Sequence, residues 1–551
     1  MSSRSDAIAA QRCDGIARRS SAYPARVSDL ELHVNGRFVS VADDGASLLE
    51  VLRDRLGLRS VKDGCSPQGQ CGCCTVLVDG QPRVSCVTPA RRVDGRAVTT
   101  IEGLPDDDRR AWGDAFCAAG ASQCGFCTPG IIMRLHALRD KSPDADDAAV
   151  ANALLAHLCR CTGWRSIFVA ARAGHTVSDA ASTSAPPLRD FARAEARAAL
   201  EGGSRQRVAP EVALGDGRFA DDQAPLDALV AVPDGHGGWA VGETLTEARA
   251  RAGKVQGRRT TAAPRPPLDV PDGEWDLTLR TSWVDPAYLE LDASWCAPGG
   301  EPASPLANGG AFGGKVSSPV MRAARDLADR HGRVVRVLWA REDAVRAGPK
   351  RPPIAAGMRR DGSGVLHAVR TEGFAARVRD IAPAIEVVEF DIAGPPTSIA
   401  IRAAGWVEAA VLLAAARGDA ESVRLPHTGE ASARIADDGT IRVSVSCGDP
   451  LDEVTLHSYC VGAAHMAYSW VVSERLAVAD DGAVHDLTIR SFGVVRAVDM
   501  PPVEVEIRAS DGPPVNGSDA VFAAVAAATW LAGGLAPSWP TGLFPRRRVD
   551  P

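Results

Sequence analysis

The sequence lacks an excess of positive charge and lacks any long apolar run. Its 62 Lys and Arg residues are outnumbered by 69 Asp and Glu residues, which leaves a formal net charge of -7. No basic stripe marks a predicted helix, so nucleic acid is not an expected partner. The most apolar long stretch, Ala520 to Ala532, is shorter than a bilayer span, so no membrane-spanning segment is predicted.

The N-terminus lacks the apolar core of an export signal. Residues 1–28 are polar and aperiodic, so we expect a flexible N-terminus and a cytoplasmic protein. In a reducing compartment the fourteen cysteines are expected to bind metal or carry out redox chemistry rather than form disulfides. Ten of them fall between Cys65 and Cys161, so function is expected in this region.

At 551 residues the chain is expected to form several domains. The first, residues 29–102, has the pattern of a small α+β domain. Asn35-Gly36 and Asp79-Gly80 are turn dipeptides beside alternating segments, and Ser47 with Glu50 reads as a capping box before a short helix. The cysteine-rich loop lies between that helix and the strand that follows.

The rest of the chain divides by composition and periodicity. Residues 103–178 are predicted to be all helical, with helices over residues 107–119, 129–139 and 147–158. Residues 179–207, first rich in Ser, Ala, Pro and Thr and then charged and Ala-rich, are predicted to be a linker. Strand and helix signals alternate over residues 208–551, so we expect a mixed α/β region and a multidomain α+β protein overall.

Four cysteines of the first domain have nearly the spacing of a plant-type ferredoxin. A [2Fe-2S] cluster needs four thiolates around two irons and backbone amides near the sulfurs, which a Gly-rich loop permits. Five residues rather than four separate the first two cysteines, and Cys73 is a competing thiol within the loop. We predict that Cys73 is not a ligand and that the first cluster is held by Cys65, Cys71, Cys74 and Cys86.

A second set of four cysteines falls in the helical domain. Two precede one predicted helix and two follow another, so an antiparallel helix pair would bring them together. The predicted ligands of this second cluster are Cys124, Cys127, Cys159 and Cys161. A structural zinc site is the alternative for either set alone, but two sets in tandem, one with ferredoxin spacing, favour iron and sulfur. Ordinary thiols are expected at Cys13, Cys117, Cys296, Cys447 and Cys460.

These motifs resemble the iron-sulfur subunit of the molybdenum hydroxylases, the xanthine dehydrogenase and aldehyde oxidase family. The resemblance covers residues 29–175 and is carried by Asp63 to Val76, Gln123 to Gly130 and Cys159 to Gly163. It implies a β-grasp ferredoxin domain followed by a helical domain. It also implies that the second cluster lies nearer a molybdopterin, that the first passes electrons to FAD, and that Gln123 bonds the pterin.

A glycine-rich segment, Asn308 to Lys315, has the spacing of a phosphate-binding loop, but Val316 stands where that loop needs Ser or Thr. The same segment resembles the molybdopterin-binding subunit of the family, as do Pro286 to Glu290 and Gly462 to Met466 in the same order. This resemblance would place Phe312 beside the metal and Arg402 in the substrate pocket.

Three features of the second half argue against catalysis there. It has only about 345 residues, far fewer than the family's large subunit. The turn that carries the family's general base, a Glu, puts Gly512 at that position, with Asp511 one residue away. The Gln that xanthine dehydrogenases place near the metal falls on about Val284.

The expected protein is therefore an electron-transfer subunit of a molybdenum hydroxylase, fused to a shortened and non-catalytic copy of the molybdenum-binding fold. Its expected partners are a molybdopterin-binding catalytic subunit and an FAD-binding subunit, because no segment has an FAD-domain signature. Two alternatives stay open at this point. One is a self-contained hydroxylase that uses Asp511, or another residue not identified from the sequence, as the base, and the other is a zinc-stabilised interaction module.

Overall fold

The computed structural model describes residues 29–175, 189–253, 262–306, 309–508 and 510–542. The predicted flexible N-terminus, residues 1–28, lies outside these ranges, as do Asn308 and part of the predicted linker. Within them, no helix combines the length and the apolarity that crossing a bilayer requires.

The first domain is a five-stranded sheet of order β2-β1-β5-β3-β4, in which β1 pairs parallel with β5 and antiparallel with β2. A short helix, α1 (Leu48–Glu50), continues into a π-helical turn, Val51–Arg55. This is the expected β-grasp arrangement, with strands β1 (Asp29–Val34), β2 (Arg37–Ala42), β3 (Thr75–Val78), β4 (Gln81–Val84) and β5 (Ala97–Thr99).

The turn residues of this domain behave as their sequence predicts. Asn35 and Gly36 both have positive φ, at 50° and 78°, and so do Asp79 and Gly80, at 48° and 71°. The capping box forms only in half. Ser47 Oγ accepts from the Glu50 amide at 3.2 Å, but the Glu50 carboxylate accepts from Thr246 Oγ1 at 2.6 Å, because a buried carboxylate needs a partner.

The second domain is helical, as expected, and begins where the sheet ends. The third predicted helix is shorter than expected, because it passes into a 3₁₀ turn, Leu154–Ala156, just before the cysteines. The helices are α2 (Asp106–Ala118), α3 (Thr128–Lys141), α4 (Asp147–Ala153) and α5 (Arg165–His175).

The region expected as a linker contains a helix, α6 (Phe191–Gly202), that packs on the C-terminal region. Glu201, at the end of α6, is buried and pairs with Arg197 at 2.9 Å. It also accepts from the amides of Gly517 and Ser518, where a later helix begins. The positive end of that helix stabilises the carboxylate, which explains how a charged Ala-rich segment becomes part of the core.

Over its described residues, the C-terminal region has three sheets. Their strand orders are β7-β6-β10-β9, β13-β12-β11-β8-β18 and β14-β15-β16-β17. The strands are β6 (Leu229–Pro233), β7 (Trp239–Gly242), β8 (Leu277–Thr281), β9 (Ala293–Cys296), β10 (Val335–Leu338), β11 (Ile354–Met358), β12 (Gly364–Val369), β13 (Ile385–Phe390), β14 (Val423–Arg424), β15 (Glu430–Ile435), β16 (Ile441–Ser446), β17 (Val503–Ile507) and β18 (Ser538–Trp539).

Helices cover these sheets, and the two longest form the centre of the region. The helices are α7 (Pro210–Ala213), α8 (Leu245–Ala252), α9 (Val320–His331), α10 (Arg341–Ala347), α11 (Phe374–Ile381), α12 (Trp406–Arg417), α13 (Glu453–Val472) and α14 (Ser518–Ala532). α13 and α14 pack against each other, and almost every residue of both is buried. Both are apolar on all sides, which is the pattern of a helix inside a core.

Candidate iron-sulfur centres

The four cysteines predicted to hold the first cluster converge on one place. We call Cys65, Cys71, Cys74 and Cys86 the first thiol group. The loop before β3 supplies three of them, and a 3₁₀ turn after β4, Ser85–Val87, supplies Cys86. The Cys65 thiol lies within hydrogen-bonding reach of the thiols of Cys71 and Cys86, and Cys86 within reach of Cys74. All four are buried.

Backbone amides point at these sulfurs. Cys65 Sγ accepts from the amides of Gln68 at 3.3 Å and Gln70 at 3.5 Å, and Cys74 Sγ accepts from the Cys86 amide at 3.5 Å. Hydrogen bonds from the Cys71 and Cys86 thiols, with those from the two glutamine amides, hold the pKa of Cys65 well below its usual range, whereas the same bonds to Cys65 raise the pKa of Cys71 and of Cys86. The backbone amides of the loop are thus placed to stabilise negative charge on sulfur, as a [2Fe-2S] cluster requires.

Cys73 is a fifth buried thiol beside the first thiol group. Its Sγ lies 3.9 Å from the Cys71 carbonyl oxygen and within hydrogen-bonding reach of the Cys71 thiol. It therefore lies directly beside a predicted ligand of the first cluster. That it is not a ligand stays a prediction.

The second thiol group consists of Cys124, Cys127, Cys159 and Cys161. Cys124 and Cys161 have their sulfurs 3.6 Å apart, and the thiols of Cys127 and Cys159 are hydrogen bonded. This arrangement in two pairs agrees with a [2Fe-2S] cluster, in which each iron is bound by two of the four thiolates. The Cys127 thiol, together with Thr162, whose Oγ1 lies 3.1 Å from Cys159 Sγ, lowers the pKa of Cys159 to about 6. Among the described residues, no three or more His, Cys, Asp or Glu side chains surround a point that a single metal ion could occupy.

A backbone hydrogen bond connects the two thiol groups. The Leu158 amide, next to Cys159, donates to the carbonyl oxygen of Cys71 at 3.0 Å. The His157 ring lies so close to Gly72 that a Cβ there would be 2.4 Å from the ring carbon Cδ2. Burial lowers the pKa of His157 to about 3, so the ring is neutral at this junction.

The C-terminal region covers the second thiol group. Gln123 forms hydrogen bonds on both sides of this interface. The Gln123 amide nitrogen donates to the carbonyl oxygen of Cys161 at 2.9 Å and to Ser458 Oγ at 2.9 Å. Gly462 of α13 lies so near Cys161 that a Cβ there would be 1.8 Å from the Cys161 carbonyl oxygen. The space beside Gln123, lined also by Ser458 and Tyr459, amounts to about 20 Å³. That is room for about one water molecule.

Phe312 and Arg402 are in contact in the structure, while their places beside a metal and in a substrate pocket stay predictions. The Arg402 guanidinium lies 4.5 Å from the centre of the Phe312 ring. Both residues line a cavity, but its volume is about 20 Å³. Arg402 is buried and pairs with Asp519 at 2.9 Å, while donating to Ser518 Oγ at 3.1 Å.

Side chains fill the remaining space of that site. The Arg351 guanidinium lies 4.2 Å from the Trp470 ring centre and 5.2 Å from that of Phe522, and its Nε is 2.8 Å from Glu408 Oε1. We call Phe312, Arg351, Arg402, Trp470 and Phe522 the arginine–aromatic cluster. Sites for cofactor-sized molecules are typically several hundred Å³, so the residues present do not fit a molybdopterin. Val284, at the position of the family's Gln, lines the same cavity.

Asp511, the remaining candidate for the general base, does not lie near the cavity beside Arg402. Asp511 and Gly512 are exposed and do not line the cavity beside Arg402. Sequence reasoning missed Arg351, Glu408, Trp470 and Phe522. Nothing in their local pattern marks them, because each is a buried residue in a helix or next to a strand, and only the fold brings them together.

Comparison with known proteins places these domains in a family. A 2Fe-2S iron-sulfur cluster binding domain matches residues 32–99, and a [2Fe-2S] binding domain matches residues 100–172. The nicotinate dehydrogenase small FeS subunit of Eubacterium barkeri is 42% identical over 145 residues, which is 26% of this chain and 92% of that protein. The xanthine dehydrogenase/oxidase of Mus musculus is 37% identical over 154 residues, which is 26% of this chain and 12% of that protein.

The whole chain is also similar to a solved structure. The aldehyde oxidoreductase from Desulfovibrio gigas aligns with 91% of this chain and 97% of its own, with a TM-score of 0.64 and 14% identity, which shows a shared fold. The chain thus belongs to the xanthine dehydrogenase and aldehyde oxidase family, as an oxidoreductase component in which iron-sulfur domains are joined to a region with the fold of the molybdopterin-binding part.

Proposed function

We propose that this chain transfers electrons between a molybdenum centre on a catalytic partner subunit and an FAD on a further subunit. The cysteines of the two thiol groups are assigned as the ligands of two [2Fe-2S] clusters, which supply one-electron transfer when bound. A relative that is itself a small FeS subunit implies a separate catalytic chain. An FAD-binding partner subunit is proposed from the family resemblance.

One observation supports transfer between the two centres within the chain. The Cys71 carbonyl and the Leu158 amide connect a ligand residue of the first thiol group to the residue before Cys159 of the second. This hydrogen bond offers a short path between the two centres. From the family resemblance, we assign the second as the entry point and the first as the exit.

The C-terminal region is proposed to be non-catalytic. The arginine–aromatic cluster fills the space around Phe312, the residue that the family resemblance puts beside the metal, and Gln123 is bonded within the protein rather than facing an open pocket. Its role is to hold and cover the iron-sulfur domains. The contacts from Ser458 to Gln123, and from Glu474 to Arg160 at 2.8 Å, perform this function next to the second thiol group.

Metal analysis tests the proposal. The chain purified without partners is expected to contain about four irons, no molybdenum and no zinc, with the red-brown spectrum of two [2Fe-2S] centres. One molybdenum per chain would instead identify the chain as a self-contained hydroxylase. It would contradict the conclusion that side chains of the arginine–aromatic cluster leave no room for the cofactor. A colourless, zinc-containing protein would identify it as an interaction module.

A further inference from the structure

Five cysteines, rather than the four that a [2Fe-2S] cluster needs, lie in and around the loop of the first thiol group. Cys73 is the additional one; it stands between Cys71 and Cys74 in the chain and is as buried as they are. Its thiol is within hydrogen-bonding reach of the Cys71 thiol. The two sulfurs also share one neighbourhood, because a Cβ at Gly64 would lie 3.1 Å from both of them. Cys73 therefore holds its sulfur next to a predicted ligand.

Ordinary hydrogen bonding does not account for the Cys73 thiol. A buried cysteine elsewhere in the chain, Cys296, has its sulfur 3.3 Å from the carbonyl oxygens of both Ala297 and Gly300. The Cys73 sulfur is 3.9 Å from the Cys71 carbonyl oxygen, which is long even for a sulfur donor, so its close partner is the Cys71 thiol. Because a thiolate is a metal ligand, a thiol held against a ligand sulfur is placed to bind iron when that ligand leaves.

The backbone on both sides of the Cys73 side chain is fixed. The Gly72 carbonyl oxygen accepts from the Thr75 amide at 3.1 Å and from Thr75 Oγ1 at 2.7 Å, and the Cys73 carbonyl oxygen accepts from the Lys62 amide at 3.4 Å. Gly130 packs so near that a Cβ there would be 2.8 Å from the same Cys73 oxygen. Exchange of one sulfur for the other therefore requires rotation of side chains. A change between staggered χ1 positions moves a sulfur by about 3 Å, which is the scale of the contact between the two thiols.

We infer that Cys73 is a reserve ligand of the first cluster, which binds iron in place of Cys71 when the bond from the Cys71 sulfur opens or that sulfur is removed. This inference rests on the proposed function, because that function assigns a [2Fe-2S] cluster to this loop. It adds a second ligand set, in which Cys65, Cys74 and Cys86 are retained. Cys71 is the ligand that is replaced, since Cys73 is within hydrogen-bonding reach of its thiol.

The exchange conserves atoms, protons and electrons. The Cys73 thiol gives up its proton and binds iron as a thiolate, while the Cys71 sulfur leaves iron and takes up one proton. No oxidant or reductant takes part, so the number of electrons on the cluster stays the same. The fifth sulfur thus lets the loop retain its cluster after one of the four predicted bonds has opened.

The iron content of full-length alanine variants tests this inference, because an alanine side chain has no atom that can bind iron. Cys71→Ala is expected to retain about four irons and an EPR signal from each of two reduced clusters, since Cys73 replaces the missing sulfur. Cys71→Ala/Cys73→Ala should fall to about two irons and lose one of these signals. Cys73→Ala by itself should retain about four irons with the g-values of the natural chain, whereas the g-values of the first cluster should differ in Cys71→Ala.

Cys65→Ala is the matched control. Cys65 is as buried as Cys71 and belongs to the same thiol group, but its thiol partners, Cys71 and Cys86, are themselves predicted ligands. No spare thiol is thus expected to replace Cys65, and this variant should contain about two irons. A loss of about two irons from Cys71→Ala as well would overturn the inference, and so would about four irons in the double variant.

The rate of iron loss gives a second test, in which all four predicted ligands stay in place. With EDTA as the chelator, the EPR signal of the first cluster should disappear several-fold faster in Cys73→Ala than in the natural chain, because an opened bond from Cys71 is no longer replaced. Cys117→Ala is the control, since Cys117 is buried but lies outside both thiol groups, and its rate should equal that of the natural chain. If Cys71→Ala does not fold, this measurement decides, and equal rates in Cys73→Ala and Cys117→Ala would overturn the inference.

The iron content of the natural chain separates this inference from the proposed function. Absence of iron from the natural chain would contradict the function itself. About four irons in the natural chain, together with loss of the first cluster from Cys71→Ala, would contradict only the role of Cys73 as a reserve ligand.

Discussion

The carbonyl oxygen of Cys71 accepts a hydrogen bond from the amide of Leu158 at 3.0 Å. This bond crosses the boundary between the ferredoxin-type and the helical domains. It forms because Gly72 and Gly130 have no side chains, which lets the backbone of the ligand loop approach the N-terminal end of α3 and the His157 ring. The two predicted cluster sites are therefore held at a fixed separation by the fold rather than by a flexible joint.

Gly72→Ala is expected to destabilise this junction, because its Cβ would collide with the His157 ring at 2.4 Å. Gly80→Ala is the matched control, since Gly80 has nearly the same positive φ, 71° against 75°, but no atom within 4 Å of the added Cβ. Each variant carries a backbone strain of about 1–2 kcal/mol. Thermal unfolding should show a larger loss of stability for Gly72→Ala, and equal losses would contradict the close contact.

The ligand assignment predicts different outcomes for neighbouring cysteines. Cys65→Ser should remove the first cluster, so that iron falls from about four to about two per chain and one of two EPR signals disappears. Cys73→Ser should retain about four irons, although Cys73 is as buried as Cys65. Loss of iron from Cys73→Ser with retention in Cys71→Ser would show that Cys73, rather than Cys71, is the ligand.

The buried ion pair in the arginine–aromatic cluster is expected to contribute strongly to stability. Arg351→Met leaves Glu408 buried without its cation and should lower the free energy of unfolding by about 3–5 kcal/mol. Arg325→Met is the control, because Arg325 and Glu301 form an exposed pair whose removal should change that free energy by less than about 1 kcal/mol. Urea unfolding followed by tryptophan fluorescence measures both changes.

Iron content should be the same in both of these variants, because neither arginine belongs to a thiol group. A hydroxylase activity that disappears only in Arg351→Met would contradict the interpretation of this cluster as a packed, non-catalytic core.

His465 predicts a specific dependence of stability on pH. It is fully buried in α13, its Nε2 lies 2.9 Å from the carbonyl oxygen of Val495, and burial lowers its pKa to about 4. Between that pKa and the unfolded value of about 6.5, the unfolded chain binds the extra proton. Stability should therefore fall as pH decreases through this window, by about 1.4 kcal/mol per pH unit from this residue.

His465→Gln should remove that part of the pH dependence, and urea unfolding at several pH values between about 4 and about 7 would measure it. His236→Gln is the control, because His236 is exposed. An unchanged slope in His465→Gln would show that other groups cause the loss of stability in acid.

Local sequence predicted the turns and the grouping of cysteines in the first part of this protein. The turn dipeptides Asn35-Gly36 and Asp79-Gly80 adopt the predicted positive φ values, since few other residues tolerate them. The eight predicted ligands come together in two groups because the cysteine spacings match the lengths of the loops and helices between them. Helix α6 was not predicted, because its Ala-rich and charged sequence becomes buried only when Glu201 reaches the start of α14.

The sequence by itself determined the family. It also predicted the cysteine ligands and the lack of a general base at Gly512, and both stay predictions. Only the tertiary structure decided whether the second half could hold a cofactor. That outcome depends on pairs far apart in the chain, such as Gln123 with Ser458 and Arg402 with Asp519. Periodicity and spacing describe neighbours along the chain, whereas the filling of a cavity depends on which side chains the fold brings into the same volume.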